Sequence, residues 1–377
     1  MSTLKVNTIN AATSGQAVDV DVKSPKSFRN LVINGGMTIN QRNGTYTAGD
    51  YCLDRYRADE VTDGAVSITH SGVVPDGFAN SLRVAVTTAD TSVGSGDAYI
   101  LKHRIEAQNL ARLAYGTSGA KTITLSFWVK SNKTGVYTIN LYKHDNTAYN
   151  YVREFSISSA DTWEKKELTI TSTAGSTSLI TNSGGAIDID NGAGLDINFC
   201  LSLGSNYTGS TNDSWSSNGN HYGTSNSINW MDSTSNNFYI TGVQLECGSA
   251  TNFEHESYGD TLRKCQRYFY AVVPKGVGAT SYFGNGFMYT SSVVMGFIHF
   301  PVTMRAVPTL EISNATDDFG IYRNGGLDGL DDFYLNSANI KGMNIANTSD
   351  ASGTAGHAGG LFISDSTNAY LYIKAEL

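Results

Sequence analysis

With 377 residues, 40% hydrophobic and 16% charged, the chain is long enough for two or three domains with cores of their own, and its charge content is well under the roughly 25% of an ordinary soluble domain. The polar remainder is mostly Ser, Thr, Asn and Gly, which have low helix propensity and bond readily to turns; 39 Gly against 5 Pro fits neither a collagen nor a Pro-rich linker. A net charge of −8 without a basic stripe excludes nucleic-acid binding by phosphate neutralisation.

In chain order, residues 1–30 form a separate segment. Val18, Val20 and Val22 alternate with Asp19 and Asp21, the period of a strand. A piece this short cannot bury that face alone, so it is expected to pair with another copy or a docking partner. Residues 31–259 read as all-β. Leu82, Val84 and Val86 share one strand face. Ile123, Leu125, Phe127 and Val129 share another, opposite Thr124, Ser126, Trp128 and Lys130. Tyr137, Ile139 and Leu141 repeat the pattern. Leu195 to Leu203 gives the longest alternation, with Asp196, Asn198, Cys200 and Ser202 on its polar side. One apolar and one polar face per strand is what a sandwich requires, and the turn-rich intervals favour a jelly roll. Near-helical spacing of Ile105, Ala107, Leu110 and Leu113 predicts a helix from Ile105 to Ala114. Residues 201–237 hold 22 Ser, Thr or Asn and predict a long loop laid over the sandwich.

A linking helix is predicted over residues 260–270, followed by a smaller distal β domain over 271–377. Val294, Gly296, Ile298 and Phe300 alternate with Val293, Met295, Phe297 and His299. Both faces are apolar, which predicts a strand buried on both sides, at a subunit interface. Residues 336–360, rich in Gly, Ala, Ser and Asn, are expected to loop. Residues 369–377 are expected to form a last strand.

Enzyme signatures are missing: there is no GxSxG, P-loop, GxGxxG after a strand, or HExxH. No catalytic residue and no cofactor is assigned. Glycan hydrolysis would need two flanking carboxyl groups, and Glu254 with Glu256, Asp188 with Asp190, and Asp331 with Asp332 are the pairs to weigh. Asp188 and Asp190 on one strand face could, with Asn191, offer oxygens to calcium. Their spacing is not that of an EF-hand, a solvated strand face explains them as well, and no metal ligand is assigned. No apolar run reaches the roughly 20 residues that cross a bilayer, and no secretory apolar region follows Met1. Cys52, Cys200, Cys247 and Cys265 lack ligand spacing and read as reduced thiols of a protein made in a cytoplasm. Sugar binding is the sharper possibility. A sugar has an apolar CH face and a polar rim, which suits an aromatic body with a polar tip. Trp128 lies on a polar strand side, and Tyr207, Trp215, Tyr222 and Trp230 sit in the Asn/Ser-rich loop. These five are the candidate ligand residues; the alternative is that they pin the loop to the sandwich.

An ordered set of motifs carries a resemblance. Asn30-Leu31-Val32-Ile33-Asn34-Gly35-Gly36-Met37, Asn40-Gln41-Arg42 and Asp54-Arg55-Tyr56 come first. Thr124 to Lys130, Trp163, Val243-Gln244-Leu245-Glu246 and Phe253-Glu254 follow. Over roughly residues 30–270 this resembles a module of phage tail-fibre and related virion proteins, itself similar to carbohydrate-binding jelly rolls. Leu262 to Phe269 resembles the link that follows that module. Phe300 to Thr309 and Ala375-Glu376-Leu377 resemble distal domains of such fibres, and Ser2 to Ile9 is similar to the start of some marine-phage structural proteins. The bottom-up reading of the motif residues is structural: a tight turn at Gly35-Gly36, an Asp54–Arg55 ion pair, strand anchors at Glu246 and Glu254.

The resemblance implies a homotrimeric virion protein whose residues 1–30 attach it to other tail or capsid proteins and which contacts a host-surface glycan during adsorption. It would be made in the host cytoplasm and carried on the particle. The chain is too short for the long anchor and shaft of many fibres, which implies a short fibre or a decoration attached elsewhere. A decoration protein with no ligand is the alternative reading, and a polysaccharide depolymerase the third.

Overall fold

The computed structural model describes residues 28–47, 49–219, 221–276, 281–364 and 368–377. The strand pattern at Val18 to Val22 and most of the expected attachment segment lie outside the described residues.

Twelve strands build the first unit: β1 (Tyr51–Leu53), β2 (Tyr56–Val61), β3 (Ala65–Ser71), β4 (Ser81–Thr88), β5 (Ala98–Glu106), β6 (Ile123–Ser131), β7 (Gly135–Lys143), β8 (Tyr149–Ile157), β9 (Glu164–Ile170), β10 (Ala193–Leu203), β11 (Ser214–Ser216) and β12 (Asn237–Cys247). They form a seven-stranded sheet in the order β1-β2-β5-β10-β7-β8-β11 and a five-stranded sheet in the order β3-β4-β12-β6-β9. Neighbours distant in sequence, such as β5 beside β10 and β4 beside β12, make this a jelly-roll sandwich. The alternation read from the sequence is what closes it. Ile123, Leu125, Phe127 and Val129 face Tyr137, Ile139, Leu141, Ile197 and Phe199 in one buried cluster. The Phe127 ring meets Phe155 and Phe199 edge-on, each at 5.1 Å. Each such fully buried side chain contributes about 1.5–3 kcal/mol relative to exposure in water.

The helix expected over residues 105–114 is a 3-10 helix, Ala107–Leu113. Ile105 and Glu106 still belong to β5, because their ladder with β10 satisfies more backbone than a longer helix would. The linking helix is α1 (Tyr258–Gln266), with the Ser257 hydroxyl accepting from the Asp260 amide at its start. Chain from Phe269 onward is already strand.

The second unit holds β13 (Phe269–Val273), β14 (Tyr282–Met288), β15 (Val294–His299), β16 (Thr309–Ile312), β17 (Phe319–Arg323), β18 (Gly326–Leu330), β19 (Tyr334–Asn339), β20 (Gly342–Asn347), β21 (Ala358–Ile363) and β22 (Leu371–Lys374). A three-stranded sheet, β13-β22-β16, packs with a seven-stranded sheet, β18-β17-β21-β14-β15-β20-β19, over a second hydrophobic cluster. Three expectations are corrected here. Residues 336–339, 342–347 and 358–360 are strand, because Met343 and Ile345 reach the core between small neighbours, whereas 348–357 loop as expected. β15 is buried on one side only: Val294 and Ile298 face the core, whereas Phe297 is 55% exposed. The last strand stops at Lys374, and Ala375 to Leu377 turn to the sandwich instead.

That turn builds the joint between the units. Arg42 and Arg55 both reach the Glu376 carboxylate, at 3.1 and 2.5 Å. Arg55 lies 3.7 Å above the Tyr268 ring and Arg42 3.6 Å above the Phe269 ring. The Tyr268 hydroxyl donates to Glu106 at 2.5 Å, beside the Arg267 guanidinium at 2.6 Å. Arg305 donates to the carbonyls of Asn191, Ala375 and Glu376, each at 2.8 Å. Arg42 and Arg55 of the opening motifs and Glu376 are thus one buried ion cluster, and the Gln41 side chain donates to the Phe269 carbonyl beside it at 2.9 Å.

Candidate functional site

The outer face of the seven-stranded sandwich sheet carries polar residues because β10, β7 and β8 alternate. Asn198 donates to Asn140 at 2.8 Å, and Asn140 donates to Asn150 at 2.8 Å. All three are buried, since Asn218, His221 and Tyr222 of the loop lie over this face. The Asn150 amide donates to the Asn218 carbonyl at 2.6 Å. Buried amides in a ladder hold the covering loop while satisfying one another. The loop adds its own edge strand, β11, paired with β8.

Trp215 and Trp230 fasten this loop from beneath. Trp215 is 2% exposed and its indole donates to the Thr171 carbonyl at 3.0 Å. Trp230 is fully buried against Tyr99 and Phe238. Neither can offer a ring face to a sugar, so their assignment as ligand residues is withdrawn; they are core residues of a covering loop.

Tyr207 and Tyr222 stand together above. The amides of Tyr222 and Gly223 both donate to the Tyr207 carbonyl at 2.9 Å, and the two rings meet edge-on at 5.8 Å. Ser205, Asn206, Tyr207, Asn218 and His221 line an open cleft of about 500 Å³. Gly209 lies beside it, and a Cβ there would stand 2.6 Å from the His221 ring, so a larger residue would have to move that ring. Burial pushes the Tyr222 hydroxyl up to about 12, helped by the Tyr142 phenol. It therefore stays a neutral donor at any physiological pH.

A charged row crosses the same sheet face on β2, β5 and β10. Arg104 grips Asp196 with two bonds of 2.6 and 2.9 Å, and His144 Nε2 lies 3.0 Å from it. Burial raises the Asp196 carboxyl, but the bonds from Arg104 and His144 outweigh it and hold the group well below the usual carboxylate range. Lys102 bonds Asp59 at 2.6 Å. Tyr142 touches the His144 ring at 4.7 Å. Sequence reading missed His221, Asn206 and Tyr142, since only the fold brings strand and loop together.

Trp128 is on the opposite sheet, half-buried, paired with Thr241 and Lys165. It flanks Gly242, where a Cβ would meet Trp128 Cδ1 at 3.0 Å and Phe78 Cζ at 2.7 Å. The five candidates therefore divide into Tyr207 in the cleft, Tyr222 behind it against the Tyr207 ring, two core residues and one residue on another face.

The carboxylates weighed for hydrolysis have other partners. Glu254 accepts from the Asn30 amide at 2.7 Å, Glu256 pairs with Lys264, and Asp331 accepts from the Asp317 amide at 2.9 Å. Asp188 and Asp190 lie outside any strand, in a connection whose preceding carbonyls, Gly184 and Ala186, accept from Lys143 together with that of Asp145. Among the described residues no group of three or more His, Cys, Asp or Glu could hold a metal ion. Among them, too, no helix is long and apolar enough to cross a membrane.

No family model matches the chain, and no curated protein does. Solved structures do. The enzymatically active domain of bacteriophage CBA120 tailspike protein 4 matches at 14% identity over 58% of this chain and 22% of its own length, with a TM-score of 0.29. The chain thus spans about a fifth of that tailspike domain. A family 11 carbohydrate-binding module of Clostridium thermocellum, in complex with a mixed-linked tetrasaccharide, matches at 12% identity over 55% of this chain and 98% of its own, with a TM-score of 0.27. TmCBM61, in complex with a galactotriose, matches at 12% identity over 58% and 99%, with a TM-score of 0.26. The sandwich assignment itself rests on the strand order.

Proposed function

We propose that this chain is a phage virion protein, a tail fibre that binds a host-surface glycan in the Tyr207–His221 cleft and performs no catalysis there. The cleft carries this reading. It combines one accessible aromatic ring with amide, hydroxyl and imidazole groups, on a loop fixed by a buried amide ladder, and Lys, Arg, Asp and Glu are missing from its lining. Such a surface suits a neutral oligosaccharide, whose CH face stacks and whose hydroxyls bond at the rim. Pre-organised donors also spare the entropy of ordering on binding. The phage setting is supported by the ordered motifs of the sandwich.

A glycan array with the full chain tests the reading. Binding to at least one host-type glycan is expected, weakened about tenfold or more by Tyr207→Ala, in keeping with a contact of roughly 1.4 kcal/mol. Loss of all array binding, with incorporation into particles retained, would instead support a decoration role.

Self-association is the second part of the proposal. The outer face of the distal seven-stranded sheet exposes Tyr282, Phe297, Tyr322, Leu327 and Tyr334. Five adjacent strands, β21, β14, β15, β20 and β19, contain no Asp, Glu, Lys or Arg. In a chain of net charge −8, such a face can meet its own copy without like-charge repulsion. The expected occupant is the same face of further copies, in a trimer. Light scattering at micromolar concentration should return three times the chain mass; a monomer would count against it.

A further inference from the structure

Two motif pieces far apart in sequence, Asn30 to Gly36 and Phe253 with Glu254, have no part in the cleft, the joint or the distal face. The fold brings them together. The Leu31 amide donates to the Leu245 carbonyl at 2.9 Å, the Asn30 side chain to the Val243 carbonyl at 3.0 Å, and the Glu254 amide to Gln244 at 2.8 Å. Between them lies a pocket of about 160 Å³, closed on a third side by Gly77, Phe78 and Ala79 of the β3–β4 connection. It shares no lining residue with the cleft.

One wall is aromatic. The rings of Phe78, Phe253 and His255 touch pairwise at 5.1, 5.4 and 4.9 Å. The polar side holds Asn30, Asn34, Thr38, Thr261 and two carboxylates, Glu254 and Glu256, the second of which is paired with Lys264. Glu254 Oε2 is taken by the Asn30 amide, whereas Oε1 has no partner among the described residues. Lys and Arg are missing from the lining, so a phosphate, sulfate or carboxylate has no counter-charge there. The two glycines differ. A Cβ on Gly35 would stand 2.0 Å from the Val243 carbonyl oxygen, so packing demands glycine. A Cβ on Gly36 would make only ordinary contact with the Phe253 ring, at 3.6 Å, so its bareness leaves pocket space.

We infer that this pocket is a second ligand site, which takes a single pyranose ring. The volume lies below the roughly 300–1,000 Å³ of sites for larger ligands, which suits one ring and not a chain laid along a groove. The aromatic wall receives the CH face. The open carboxylate oxygen accepts from ring hydroxyls, a charge-assisted bond stronger than a neutral one. The ligand's source is either a free sugar or the end unit of a glycan, and both present the same ring.

The test is saturation-transfer NMR on the full chain with glucose, galactose, mannose, N-acetylglucosamine and glucosamine, each as free sugar and as methyl glycoside. Transfer to at least one ring is expected. Gly36→Val, which fills the pocket, and Phe78→Ala, which opens its wall, should each reduce it at least fivefold with melting temperature retained. Glu254→Gln keeps an oxygen for the Asn30 amide and should weaken binding without unfolding. Methyl glycosides binding as well as free sugars would assign the site to chain ends; binding of free sugars only would assign it to monosaccharides. No transfer from any sugar, or transfer equal in wild type and all three variants, overturns the inference. Tyr207→Ala should leave this signal intact, so a failure of the cleft reading is separable from a failure here.

Discussion

Two seven-stranded sheets stand in this chain, and their outer faces are opposite in character. The sandwich sheet turns Thr138, Asn140, Asn150 and Asn198 outward, and a Ser/Thr/Asn-rich loop seals them from water. The distal sheet turns Phe297, Tyr322 and Tyr334 outward and leaves them open. Polar side chains sit dry on one face and aromatic rings sit wet on the other. The first arrangement is stable within one chain, because each amide finds a neighbour. The second gains free energy only when another surface arrives. On the proposed reading, internal satisfaction makes the first face a scaffold for the cleft, and open apolar area makes the second a face for assembly.

The joint between the two units should give the largest effect if that contrast is broken. Glu376→Ala leaves Arg42 and Arg55 buried without their carboxylate and should cost about 3–5 kcal/mol. Calorimetry should then show the sandwich and the distal unit melting in separate transitions; one unchanged transition would rule out the coupling. Acid comes next. His103 is held neutral down to about 3 by burial, with the Arg55 charge adding to it. Unfolded histidine takes a proton near 6.5. The unfolded state thus binds more protons between those values, and stability should fall as pH drops from about 6.5 towards 3. His103→Gln should flatten that part of the profile in urea titrations at several pH values.

Within the covered face, Asn140→Ala strands the amides of Asn198 and Asn150 and should cost about 1–3 kcal/mol per group left unpaired. Faster hydrogen exchange in residues 204–229 would be its sign, and unchanged exchange would argue against the ladder as the loop's support. On the open face, Phe297→Ser should shift chain stability by less than about 0.5 kcal/mol. It should nevertheless lower the scattering mass, because its partner is expected on another copy.

The sequence made the sandwich legible where one face had to be apolar, as at Ile123 to Val129 and Leu195 to Leu203. It was less informative where partners are distant. Trp215 and Trp230 looked half-wet in a polar loop, yet Tyr151, Thr171, Tyr99 and Phe238 enclose them from other parts of the chain. Small residues hid β20 and β21, because Gly and Asn propensity favours loops and only the buried Met343, Ile345 and Leu361 show the strand period. The cleft was partly visible, through Tyr207. The pocket was not visible at all, since residues more than two hundred apart make it.

The Arg42–Glu376 pair has a consequence for how the molecule is made. Its partners are 334 residues apart, so on a ribosome the two arginines emerge long before their acid. At a synthesis rate of about 5–20 residues per second the wait is tens of seconds. Through that interval the end of the sandwich has two positive charges that it cannot yet bury. A chain without Glu376 would leave Arg42 and Arg55 at that end of the sandwich with no acid to pair with there.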